Sequence, residues 1–136
     1  MTKSEDWSAE FQLIAPFLNA PKLDRFAALT GSEAGRRRLI RELGHFTGFK
    51  ASVIRTITSS AHTPVGIAAV LRKMGAPDEC YLIATNRAVD RKSLGLTVAL
   101  EEVVGRGYSA ILIAIPGRLG FYEGEGTRNR CILATG

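Results

Sequence analysis

The stretch from Glu79 to Arg118 constrains the fold more than any other segment, because two apolar runs in it flank a helical pattern. The runs are Cys80–Thr85 and Ser109–Ile115, and both are rich in strand-forming residues. Between them, apolar residues recur at helical spacing, at Leu96, Ala99, Leu100 and Val103. A strand that is apolar along its whole length is covered on both faces, as in parallel sheets. The segment therefore predicts a strand–helix–strand unit with a right-handed crossover.

The segments around this unit add further elements. Three helices are predicted in residues 1–48, the third of them capped by Ser32. β-Branched residues in 51–58 predict a strand, and Thr63 followed by Pro64 marks the start of a helix that Gly75 ends. Two short segments, 119–123 and 130–135, flank a glycine-rich turn and predict a β-hairpin.

Together these patterns predict an α/β or α+β fold. Three N-terminal helices are followed by a β-α-β-α-β unit and a C-terminal β-hairpin, with the helices packed on a mixed sheet of about five strands. A chain of 136 residues suits one domain. Residues 1–48 would form its helical part and residues 49–136 its sheet-forming part.

Composition narrows the class of protein. The formal net charge of +5 favours anionic partners, although charge says little about fold. No apolar run reaches the roughly 18 residues of a membrane span, and the first residues lack the pattern of a secretory signal. We therefore expect a cytoplasmic protein without membrane contact. Cys80 and Cys131 are expected to be buried free thiols, since a disulfide would require their strands to be neighbours.

Polar residues gather where the predicted strands end. Parallel strands bring their carboxyl ends to one edge of a sheet, where ligands of open α/β folds bind. Arg87, Arg118 and the N-terminus of the helix at Pro64 could hold a small anion there, with His62 as the candidate acid or base. Loops of this kind are also polar simply because they are exposed to solvent and form turns. The predicted ligand-binding residues are Ser60, His62, Asn86, Asp90 and Arg118.

A cluster of arginines in the third predicted helix is the strongest charge feature of the chain. It consists of Arg36, Arg37, Arg38 and Arg41. The cluster suits contact with a phosphate backbone or an acidic protein surface. The solvated face of an amphipathic helix is the more common origin of such a cluster, and no aromatic residues for base stacking alternate with the arginines.

Specific catalytic signatures are missing from the sequence. It contains no Gly-x-Ser-x-Gly elbow, no His-Glu-x-x-His and no phosphate-binding Gly-x-x-x-x-Gly-Lys. Residues 105–110 match the letters of a dinucleotide fingerprint, but they lie after a predicted helix rather than after a strand. His45 and His62 are the only histidines, and no close-spaced pair of metal ligands exists. No metal site and no cofactor are predicted.

The first functional hypothesis is a non-enzymatic binding module that engages an anionic partner, either nucleic acid or an acidic protein surface, through the arginine cluster. The alternative is a small enzyme or ligand sensor that uses the crevice at the strand ends, with His62 as acid–base group and Arg118 as anion anchor. A homodimer joined through the outer strand of the hairpin or through the N-terminal helices is compatible with both hypotheses.

Overall fold

The computed structural model describes residues 3–126 and 129–136, in which five α-helices accompany a six-stranded sheet. The helices are α1 Lys3–Ile14, α2 Ala20–Leu29, α3 Glu33–Glu42, α4 Pro64–Lys73 and α5 Leu96–Val103. The strands are β1 Ile54–Arg55, β2 Glu79–Ala84, β3 Ser93–Gly95, β4 Ala110–Ile115, β5 Leu119–Glu123 and β6 Arg130–Ala134. Single turns of 3₁₀-helix occupy Ala15–Phe17, Leu43–His45, Ala51–Val53 and Ser59–Ala61.

The helix boundaries follow the capping chemistry of the sequence. The Ser32 side chain accepts a hydrogen bond from the Gly35 amide, and Thr63 accepts one from Gly66, each at 3.0 Å. These bonds satisfy amides that the first turn of a helix leaves without partners. Gly75 follows α4 with a φ of 105°, a left-handed conformation that favours glycine. Three predicted helix ends are thus confirmed.

The sheet is antiparallel throughout, with the strand order β1-β6-β5-β4-β2-β3. The class of fold and the hairpin β5–β6 are confirmed, but the predicted mixed sheet with parallel strands is wrong. β2 and β4 are neighbours, and their register pairs Tyr81 with Ile113 and Ala84 with Ala110 in opposite directions. Residues 127 and 128 of the predicted hairpin turn lie outside the described residues.

The short strand β3 explains why β2 and β4 run in opposite directions. After β2 the chain reverses and pairs β3 with β2, so that Gly95 lies opposite Glu79. α5 then begins beside the start of β2, where the Leu96 amide donates to the Asp78 carbonyl at 2.7 Å. The helix carries the chain to the far end of β2, from which β4 must run back. The sequence pattern did not indicate β3, and a crossover without it would have been parallel.

The predicted strand at residues 51–58 forms only in part. Ile54 and Arg55 pair with Leu133 and Ile132 of β6, whereas residues 51–53 and 59–61 form 3₁₀ turns. β1 lies at one edge of the sheet and β3 at the other. The outer strand of the hairpin, β6, is therefore covered by β1, which removes it as the edge for pairing with a second copy. The homodimer itself stays a prediction.

Both faces of the sheet are covered by helices, which accounts for the fully apolar strands. One core joins α4 and α5 to Leu82, Leu112 and Phe121 of the sheet. The other joins the N-terminal helices to Ile83 and Ile111. The prediction of burial on two faces was correct, although it says nothing about strand direction. No helix within 3–126 or 129–136 has the length and apolar character needed to cross a bilayer.

The cysteines are both free, as predicted, but Cys80 is buried whereas Cys131 is half-buried. Their shielding from water has a consequence at alkaline pH. Burial raises the pKa of Cys80 to about 12, with a further contribution from Glu79, and burial raises the pKa of Cys131 to about 11. Burial also raises the pKa of Tyr122. Each group stays protonated in the folded chain above the pH at which it ionises in the unfolded chain. Their contribution to stability is complete below about pH 8.5 and declines as the pH rises through the folded pKa values.

We therefore expect the urea midpoint of unfolding to fall between about pH 8.5 and about pH 11. Circular dichroism across a pH series measures it. A Cys131→Val variant removes one of the titrating groups and keeps a strand-forming side chain, so its decline should be shallower. A midpoint that stays constant to about pH 11 in the unmodified protein would contradict this expectation.

A candidate anion-binding surface

The arginines of α3 divide between the interior and the surface. Arg36 is buried, together with Gly35 and Leu39, whereas Arg37, Arg38 and Arg41 are exposed. The helix periodicity explains the division, because Arg36 lies three positions before Leu39 and therefore shares its buried stripe. Arg36 does not belong to the exposed cluster that the sequence predicted, and the spacing to Leu39 is the signal that would have shown it.

Arg36 is held between two carboxylates. Its Nε and Nη2 donate to Glu10 of α1 at 2.6 and 2.9 Å, and its Nη1 and Nη2 donate to Asp90 at 2.7 and 2.9 Å. The Tyr81 hydroxyl donates to the same Glu10 at 2.5 Å. Burial alone would lower the pKa of Arg36, but the hydrogen bonds that Arg36 donates to Asp90 and Glu10 outweigh it and raise the pKa. This network ties α1, α3 and β2 to the loop that carries Asp90.

That loop, residues 85–92 between β2 and β3, is held by hydrogen bonds at both ends. Asp90 Oδ1 accepts from the Ala84 amide at 2.9 Å, and the Asn86 side chain accepts from the Ala88 amide at 2.9 Å. Arg91 has a φ of 65°, and its amide donates to the Leu82 carbonyl at 2.8 Å. Asn86 and Asp90, both predicted to bind a ligand, thus contribute to holding the loop. Arg87, one residue after Asn86, is exposed.

A cleft of about 400 Å³ separates α3 from the β2–β3 loop. Its lining consists of Glu33, Arg36, Arg37, Arg87, Asp90 and Arg91. Four arginines face two carboxylates there, so the lining is net positive. Arg91 forms an ion pair with Glu33 at 3.0 Å near the rim. Among the side chains that the structure describes, Arg37 and Arg87 form no ion pair with a carboxylate, and their charges are available to a ligand.

The positive surface continues along α3 beyond this cleft. Arg41 lies one helical turn after Arg37 and lines a second depression of about 220 Å³ with Lys22, Glu42, His45 and Phe46. Glu42 is bonded to Arg25, which lowers the pKa of Glu42, so this carboxylate stays charged and is already paired. We call the exposed set the arginine surface; it consists of Arg37, Arg38, Arg41, Arg87 and Arg91.

His62 lies elsewhere, at the rim of an open cleft of about 630 Å³. Its Nδ1 faces Arg130 Nη1 at 3.3 Å, and its Nε2 faces the Ile57 carbonyl at 3.2 Å. Because an arginine donates only, Nδ1 must be the acceptor, which assigns the ring proton to Nε2. Both ring nitrogens are therefore engaged in bonds to the protein. Ser60 is exposed in the 3₁₀ turn just before His62.

The same cleft contains a buried ion pair that the sequence did not predict. Glu123 and Arg130 face each other across β5 and β6 and form two hydrogen bonds, at 2.6 and 2.8 Å. Their side chains are 4% and 9% exposed. The Gly105 amide also donates to Glu123 at 3.0 Å. Opposite charges on the two sides of the predicted hairpin turn were a signal for this ion pair in the sequence. The strand register that places Glu123 opposite Arg130, however, does not follow from their spacing alone.

Arg118 is separated from the other predicted ligand residues. It follows β4 in the turn to β5, whereas Asn86 and Asp90 follow β2. Because these strands are antiparallel, the two turns lie at opposite ends of the sheet, roughly 17 Å apart along the six residues of β2. The expected single crevice with Arg118 as its anchor is therefore not formed. β1 and β2 do run in the same direction, which leaves Ser60 and His62 at the same edge as Asn86 and Asp90.

Comparison with known proteins adds no functional information. The chain has no match among protein-family models, and no significant match among curated proteins or solved structures. Within 3–126 and 129–136, no group of three or more histidine, cysteine or acidic side chains is arranged to hold a metal ion. The function has to be inferred from the residues themselves.

Proposed function

We propose that this protein is a non-enzymatic binding module that holds the phosphate backbone of nucleic acid on its arginine surface. The observation that carries the proposal is the meeting of two sets of arginines, from α3 and from the β2–β3 loop, across one cleft. These sets lie about 50 residues apart in sequence, and Asp90 joins them by binding Arg36. The positive net charge of the chain acts in the same direction.

The spacing of the charges on the surface favours a nucleic-acid backbone over an acidic protein. All five of its cations are arginines, whose planar guanidinium groups bind the oxygens of phosphates or of carboxylates two at a time. Arg37 and Arg41 lie one helical turn apart and so offer charges at a spacing of about 6 Å. A nucleic acid presents a regular row of charges to such a surface, whereas acidic side chains on proteins are scattered.

The surrounding surface favours contact with the backbone rather than with bases. Among the side chains that the structure describes, the large exposed apolar residues are Ile54, Val65, Met74 and Val98, and none of them is aromatic. Proteins that bind single strands stack the bases mainly on exposed aromatic rings. Binding that depends on charge alone is independent of sequence and strongly dependent on salt.

The surface is also preorganised. The two arginines of the loop project from a turn that is fixed by Asp90 and by the backbone bonds of Arg91. Arg36 is fully paired below them, so it anchors the loop without competing for the ligand. A rigid surface loses less conformational entropy when it binds, which increases affinity for a given set of contacts.

Fluorescence anisotropy with a labelled duplex of mixed sequence, at about 50 and about 200 mM salt, tests the proposal. We expect the affinity to fall with salt with a logarithmic slope of up to about 4.5, in line with five phosphate contacts. Arg38→Gln should reduce that slope by about 1. Arg118→Gln makes the same change of charge at the opposite end of the sheet and should leave the slope unchanged.

Three results would count against the proposal. The first is the absence of salt-dependent binding to any duplex. The second is an equal loss of affinity in Arg38→Gln and Arg118→Gln, because that would reflect net charge and not this surface. The third is displacement of the duplex by polyglutamate at equal charge concentration, which would favour an acidic protein as the partner.

A further inference from the structure

We infer that the cleft between α3 and the β2–β3 loop is a subsite for a phosphate monoester, the dianionic group that ends a nucleic-acid strand or is carried by a small molecule. This inference rests on the proposed function and makes it more specific. Arg41 lines a depression that contains no second arginine among the described residues, whereas this part of the surface is a cleft with arginines on both sides.

The number of donors in the cleft matches a terminal phosphate. Arg37 approaches from α3, and Arg87 and Arg91 approach from the loop, which gives three guanidinium groups around one space. A monoester presents three terminal oxygens, whereas a phosphodiester within a chain presents two. Arg36 forms the floor and is held by Glu10 and Asp90, so it fixes the base of the cleft and leaves the ligand to the other three arginines.

The ion pair between Arg91 and Glu33 in the lining of the cleft also favours a dianion. Arg91 is held by the half-exposed carboxylate of Glu33 at 3.0 Å, so an entering ligand must compete with Glu33 for this arginine. A phosphodiester carries the same single charge as that carboxylate and gains little by replacing it. A phosphate monoester carries a charge of about −1.5 to −2 at neutral pH and competes more strongly.

The test compares two duplexes of identical sequence, one with a 5′-phosphate and one with a 5′-hydroxyl, by competition anisotropy. We expect the phosphorylated duplex to bind about tenfold more tightly, the effect of one added charge-assisted hydrogen bond. Arg87→Gln should abolish this preference. Arg38→Gln, an exposed arginine that does not line the cleft, should weaken binding of both duplexes and keep the preference.

Competition with inorganic phosphate distinguishes recognition of the end of a nucleic-acid strand from recognition of a free phosphate group. If millimolar phosphate removes the preference, the cleft recognises the dianion alone; if it does not, and Arg87→Gln still removes it, the cleft recognises the chain end. Equal binding of the two duplexes overturns the inference and leaves the proposed function standing. Failure of both duplexes to bind overturns the proposed function. Arg87 is exposed, and an unchanged thermal midpoint of Arg87→Gln shows that the variant is folded.

Discussion

Replacing Arg36 by methionine should lower the free energy of unfolding by about 3–5 kcal/mol, because it leaves two largely buried carboxylates without their shared cation. The Arg36 side chain is 7% exposed, and those of Glu10 and Asp90 are 12% and 16% exposed. Water therefore reaches these carboxylates poorly, and removal of the guanidinium is not compensated by solvation. Urea unfolding followed by circular dichroism measures the change.

Arg37→Met is the matched control, because the same substitution is made one position along the same helix at an exposed site. Its effect on the free energy of unfolding should stay within about 0.5 kcal/mol. The two variants should also separate structure from binding: Arg37→Met is expected to weaken duplex binding while the fold keeps its stability. Equal stability of the two variants would show that the Arg36 network does not hold the loop in place.

The contrast between Arg36 and Arg37 shows which parts of the fold the sequence predicts and which it does not. Apolar periodicity and caps identified the helices that start after Ser32 and Thr63, because both features are local. Strand direction was missed because it depends on β3, three residues with no apolar pattern of their own. Two apolar strands around a helix look the same in sequence whether or not a short return strand lies between them.

The candidate site was predicted in the same partial way. The arginine cluster was recognised from the run of arginines in the sequence, and the polar residues after β2 from their position at a strand end. What brings them together is the bond between Arg36 and Asp90, 54 positions apart in the chain, and no local pattern encodes it. The burial of Arg36 can be predicted only from its helical spacing to Leu39, which places it on the buried face of α3 despite its charge.

The ion pair between Glu123 and Arg130 should respond to mutation as strongly as the Arg36 network. Arg130→Met leaves the Glu123 carboxylate, whose side chain is 4% exposed, with the Gly105 amide as its remaining partner in the described residues. Breaking a buried pair by removing one partner costs about 3–5 kcal/mol. The hydrogen bonds to Glu123 also raise the pKa of Arg130, as expected when the charged form is favoured by its partner.

The double variant Glu123→Leu with Arg130→Met distinguishes the cost of an unpaired buried charge from the cost of lost side-chain packing. Apolar side chains of similar volume often replace a buried ion pair at little net cost, because neither charge then has to be desolvated. We expect the double variant to recover most of the stability lost in Arg130→Met, as measured by urea unfolding. A double variant that loses the sum of both single effects would show that the pair is required as such. In that case the contribution that apolar packing cannot replace would be the contacts of the pair with two loops. The Gly105 amide donates to Glu123, and Arg130 contacts His62, at the end of the sheet.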